Sequence, residues 1–79
     1  MQNSEILARI DELVAEEHRL RSQGHSLSEE DRANLRDAEV HLDQLWDLMR
    51  RRDALRRAGQ DPDAAAGERP AGEVESYLQ

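Results

Sequence analysis

The apolar residues in the second half of the chain recur at helical spacing. Leu35, Ala38, Leu42, Leu45 and Met49 alternate by three and four, the a/d pattern of a heptad. Trp46 flanks this seam. Leu48 and Leu55 extend it as it drifts around the helix, because 3.6 residues per turn does not match a strict repeat of seven. The opposite face carries Arg36, Asp37, Asp43, Asp47 and Arg50. No Gly or Pro interrupts the stretch, and β-branched residues are few, which excludes a strand. Ser28 is the predicted N-cap, with Asp31 in the capping-box position and Glu29, Glu30 and Asp31 facing the positive end of the macrodipole. Gly59 is the predicted C′ residue, and Asp61-Pro62 blocks continuation. The spacing therefore predicts a helix over 29–58, roughly 45 Å long at 1.5 Å per residue.

The first half repeats the pattern. Ile6, Ile10, Leu13 and Leu20 form a seam in which Glu17 fills the one polar slot, and Leu7 and Val14 widen it. A helix over 5–22 follows, roughly 27 Å long, capped by Asn3 or Ser4 and ended by Gly24. The short linker makes the two helices antiparallel neighbours, an αα-hairpin over residues 1–59. The second helix is longer, so its Arg50–Arg57 end overhangs. Two helices also fail to cover a stripe as wide as Leu42, Leu45, Trp46 and Met49. Burying a Trp removes on the order of 200 Å² from water, worth about 5 kcal/mol as an upper bound. The expectation is an all-α homodimer, two hairpins forming a four-helix bundle. Leu13, Leu20, Leu42, Leu45, Trp46 and Met49 would make its core and self-interface.

Residues 60–79 differ in composition. DPDAAAGERPAGE is rich in Ala, Gly, Pro and charge and predicts an irregular tail. It ends in Val74, Tyr77 and Leu78, an apolar set at i, i+3, i+4 that forms either one docking helical turn or a disordered end.

Length and charge narrow the function classes. A chain of 79 residues makes one small domain, marginal without disulfides, metal or association, and it contains no Cys. The net charge of −7 argues against a general binder of nucleic acid or acidic membranes. No apolar run has the length of a membrane span, and MQNSEIL lacks the features of a signal peptide, so a cytoplasmic protein is expected.

Candidate chemistry is sparse. Arg51, Arg52, Arg56 and Arg57, next to Arg50, are a possible anion or partner contact, or else complement the helix dipole and pair with the first-helix acids Glu5, Asp11 and Glu12. His18, His25 and His41 do not converge in a hairpin as a metal site requires. Glu16, Glu17, Glu39, Asp43 and Asp47 read as solvated helix charge rather than paired catalytic carboxylates. The Glu-x-x-His signature of diiron bundles is absent, Ala15 and Ala38 standing where its acids would be. Glu17 is either a rim residue or a polar position that sets register at an interface. No cofactor, metal or enzyme activity is expected.

LVAEEHRLR at Leu13–Arg21, LRDAEVHLDQLWDLMRRRDALRRAGQDPD at Leu35–Asp63 and VESYLQ at Val74–Gln79 together resemble a family of small actinobacterial proteins, domain of unknown function 2630. The most specific parts are LDQ-x-WDL with the basic run after it, and the closing VE-x-YLQ. That family often carries Cys at the position of Leu45 and Leu at that of Met49, so the apolar character is kept but no thiol role carries over. The resemblance implies a one-domain intracellular protein without an assigned activity, and it favours docking of Val74, Tyr77 and Leu78. The expected function is a non-enzymatic structural or protein-interaction module. The alternative is a nucleic-acid or anion-binding regulator using the basic end of the second helix.

Overall fold

The computed structural model describes residues 2–65 and 67–78, with the side chains of His25, Ser76, Tyr77 and Leu78 outside that description. It is all-α. Helix α1 spans Asn3–Arg21, helix α2 spans Glu29–Arg57, and a third helix, α3, spans Ala71–Leu78. Single 3₁₀ turns lie at Gly24–Ser26 and Pro62–Ala64. The molecule measures 49 × 26 × 15 Å, an elongated shape set by α2.

The ends of α2 follow its sequence signals. Ser28 Oγ accepts the Asp31 backbone N–H at 3.0 Å. At the other end Gly59 takes φ 74°, the left-handed conformation that costs a side-chain-bearing residue most. This closes a Schellman motif, with Gln60 N–H donating to Leu55 O at 2.8 Å and Gly59 N–H to Arg56 O at 3.0 Å. Helix α1 starts earlier than the sequence predicts. Its N-cap is Gln2 rather than Asn3 or Ser4, and the Gln2 N–H donates to the Glu5 carboxylate at 3.3 Å. Asn3 is diverted because its side chain serves a tertiary contact with α2.

The hairpin is antiparallel, and its core is the predicted seam. Ile6, Ile10, Leu13 and Leu20 of α1 are buried, as are Ala38, Leu42, Leu45 and Leu48 of α2. Each large aliphatic side chain contributes about 1.5–3 kcal/mol by leaving water. Met49 packs against this cluster partly buried. Glu17 sits at the rim, half-buried, 3.6 Å from Arg21.

Trp46 is 44% exposed in the single chain, because the seam passes through Leu45 and Leu48 and leaves it on the flank. The tail is less irregular than its composition suggests. After the Pro62–Ala64 turn, Ala65 packs against the core, and α3 then lies on α2 with Val74 only 1% exposed. Pro70 starts α3, its carbonyl accepting the N–H groups of Glu73 and Val74 at 3.0 and 3.1 Å. The docking expected of Tyr77 and Leu78 lies outside the described residues. Among the described residues no helix is long and apolar enough to cross a membrane.

Candidate functional site

Helix α2 presents different chemistry on its two flanks, and the adjacent residues Trp46 and Asp47 mark them. On Asp47's side the tail is held by a polar clamp. The Asp47 side chain is almost fully buried and accepts from Arg51 Nε at 3.1 Å and from Arg69 Nε at 2.8 Å, with Arg69 Nη2 closing a bidentate pair. Arg51 also donates to the Gly67 carbonyl, and Gln44 Nε2 donates to the Arg69 carbonyl at 3.2 Å. One turn further along, the buried Arg52 donates to Asn3 Oδ1 of α1 and to Asp63 Oδ1 of the tail, both at 2.7 Å. His41 Nε2 lies 2.7 Å from Glu68 Oε1. The chain thus crosses α2 with a polar contact at almost every step.

The electrostatics follow from these contacts. The hydrogen bond from Arg69, aided by the Arg51 and Arg69 charges, holds the Asp47 carboxyl below the usual carboxylate range despite burial. Arg52 does the same for Asp63 by hydrogen bonding, and Asp47 raises Arg69 in return. Glu75 on α3 moves the other way. Hydrogen bonding with the Asp43 carboxyl pushes it up, and burial adds to the effect. Its Oε1 atom is buried with no partner among the described residues.

Trp46's side is apolar and uncovered. Leu7, Val14 and Trp46, at 43%, 37% and 44% exposure, are the large hydrophobic residues at the surface among those described. They share one edge. Leu7, Val14 and Arg21 are spaced by seven along α1, as are Glu39, Trp46 and Asp53 along α2, so each trio lies on one stripe of its helix. Arg21 Nη2 meets Glu39 Oε1 at 2.6 Å and joins the two stripes. The cross-helix contacts Arg21–Glu39 and Asn3–Arg52 set the register, bringing Trp46 level with the stretch between Leu7 and Val14.

The expected site residues therefore separate. Leu13, Leu20, Leu42 and Leu45 are core, Met49 is partly buried, and Trp46 is at the surface. Arg51 and Arg52 are turned toward the tail, where they donate to Asp47, Gly67 and Asp63. Arg56 and Arg57 remain outward and pair with Asp53 at 3.8 and 3.0 Å. Among the described residues the first-helix acids Glu5, Asp11 and Glu12 make no ion pair with this cluster: Glu12 meets Arg9 at 3.0 Å, and the tail supplies the carboxylate for Arg52. His18 is exposed, and His41 lies beside Glu68. Among the described residues no group of three or more His, Cys, Asp or Glu side chains is placed to hold a metal ion.

Sequence reasoning missed Asp63, Arg69 and Glu75. The one visible signal was Arg69, the sole basic residue in a tail otherwise charged only by acids.

Comparison with known proteins gives the same size and extent. The family described as "Protein of unknown function (DUF2630)" matches residues 2–79. Uncharacterized protein Rv0898c of Mycobacterium tuberculosis and Uncharacterized protein Mb0922c of Mycobacterium bovis are each 50% identical over 78 residues, covering 95% of this chain and 88% of the relative. No solved structure matches the chain.

Proposed function

This chain belongs to the DUF2630 family, described as of unknown function, and we propose that it is a non-enzymatic interaction module that pairs with a second copy of itself through the Trp46 edge. One observation carries this reading: the exposed Leu7, Val14 and Trp46 side chains share a single edge of the hairpin. Two hairpins meeting there would form the four-helix bundle that the width of the apolar stripe calls for.

The edge is self-complementary. Trp46 lies at a level between Leu7 and Val14, so a two-fold axis near Trp46, perpendicular to the hairpin, brings Leu7 of one copy to Val14 of the other. The edge runs about 21 Å along each helix at 1.5 Å per residue, from Leu7 to Arg21 and from Glu39 to Asp53, a size that fits a weak, concentration-dependent pairing.

Sedimentation equilibrium over a wide concentration range tests this on the full chain and on Trp46→Glu. A dimer that Trp46→Glu converts to a monomer of unchanged helix content supports the reading. A wild-type chain that stays a folded monomer at high concentration overturns it. Orientation has its own test: in the two-fold arrangement, Leu7→Cys crosslinks with Val14→Cys when the two variants are mixed, and Val14→Cys alone does not.

A further inference from the structure

A second feature of the molecule, independent of the Trp46 edge, is a cleft of about 270 Å³ between α2 and the tail, lined by Asp47, Arg50, Arg51, Ala54 and Arg69. We propose that this cleft binds a small oxyanion of the phosphate class, free or as a phosphomonoester, and that the bound anion ties the tail to α2.

Charge is the first support. Three guanidinium groups line the cleft against the Asp47 carboxylate, and with Glu73 paired to Arg69 beside it a local excess of positive charge remains, in a chain of net charge −7. The single acid does not face the anion freely, because Asp47 is almost fully buried and both of its oxygens accept from arginine. Asp47 acts instead as a positioning residue for the guanidiniums of Arg51 and Arg69.

Preorganisation is the second. Arg51 is pinned by Asp47 and by the Gly67 carbonyl, and Arg69 by Asp47 and Glu73, so these side chains lose little freedom on binding. Arg50 is exposed and makes no ion pair among the described residues, which leaves its planar fork for two oxygens of the anion. Ala54 is small and leaves the cleft open beside these donors. The volume is several times the roughly 30 Å³ that one water occupies in the liquid. Two further clefts lack this combination: one sets Glu16 and Asp37 against Arg9, and the other is lined by Glu29, Arg32 and Arg36 of α2.

Because Arg50 and Arg51 belong to α2 and Arg69 to the tail, an anion held between them stabilises the docked tail by mass action. The test uses the full chain with inorganic phosphate and with phosphoserine, each titrated at constant ionic strength against chloride. It follows Tm and amide exchange in α3. The expected result is a saturable rise in Tm with either ligand and slower exchange in α3, with affinity at least about tenfold weaker in Arg50→Gln and unchanged in Arg57→Gln. Neither phosphate compound giving a saturable response beyond chloride would overturn the proposal. So would equal affinity in Arg50→Gln and wild type, or equal loss in Arg57→Gln.

Discussion

Trp46 and Asp47 are neighbours in sequence and opposites in circumstance. Asp47 is buried and accepts from two arginines, while Trp46 keeps 44% of its surface in water. On Asp47's flank a tail with little to bury docks because its polar groups meet matching ones at set positions. On Trp46's flank there is apolar area with no directional partner. The contrast shows two ways of completing a small helical hairpin. Directional contacts select one segment in one register, and only the chain's own tail supplies it. Non-directional area accepts any complementary surface, and in the proposed pairing a second copy would supply it in a repeatable geometry.

Removing what the two flanks share gives the largest effect. Leu45 is 1% exposed at the centre of the core, so Leu45→Ala is expected to lose about 2–5 kcal/mol in chemical denaturation and to weaken tail docking and pairing together.

Asp47→Ala comes next and is selective. It leaves Arg51 and Arg69 facing each other without their carboxylate, an expected loss of about 2 kcal/mol, below the range for a fully buried pair because both arginines are about a quarter exposed. Limited proteolysis should then cut the segment from 60 to 70 faster while α1 and α2 stay helical. If cleavage there is unchanged, the clamp does not hold the tail.

Trp46→Ala should do the reverse. At low concentration the loss of stability is expected to stay within about 1 kcal/mol, since the side chain is half in water. Dimer affinity is expected to fall by about 1–3 kcal/mol, roughly 5–150-fold in Kd. Equal losses of folding and association would remove the distinction between the flanks.

The smallest effects are on pH dependence and belong to the tail flank alone. Asp47 is depressed, so its contribution to docking is complete above its unfolded value near 3.9 and is lost as pH falls through the lower folded value. Glu75 is raised, so docking weakens as pH rises from its unfolded value near 4.3 through the higher folded one. Tail docking should therefore be tightest in weak acid. Glu75→Gln should remove the alkaline limb, keep the acid limb, and slow amide exchange in α3 at neutral pH. An unaltered profile in Glu75→Gln would assign the alkaline limb to another group.

Much of the fold was legible because its signals are local. Ser28, Gly59 and the spacing of Ile6, Ile10, Leu13, Leu42 and Leu45 each act through neighbours within two turns, and each stands where periodicity placed it. The roles of Arg51 and Arg52 were not legible. An arginine near a helix C-terminus satisfies the dipole rule whether it faces water or a carboxylate, and the carboxylate of Asp63 is brought to Arg52 only by the turn at Pro62–Ala64. Which way Trp46 faces was not legible for a related reason. A residue at the margin of a wide stripe goes inward or outward according to which neighbours claim the seam, and Leu45 and Leu48 claim it.

The sequence by itself determined where α2 begins and ends, that the two long helices fold back on each other, and which aliphatic residues lie between them, because capping, glycine geometry and hydrophobic period are short-range properties of the chain. Only the tertiary structure decided that the tail would lie across α2, that Arg51 and Arg52 would turn inward, and that Leu7, Val14 and Trp46 would form one open edge. Those outcomes depend on groups far apart in sequence meeting at hydrogen-bonding distance, and that meeting is set by packing rather than by any residue's own preference.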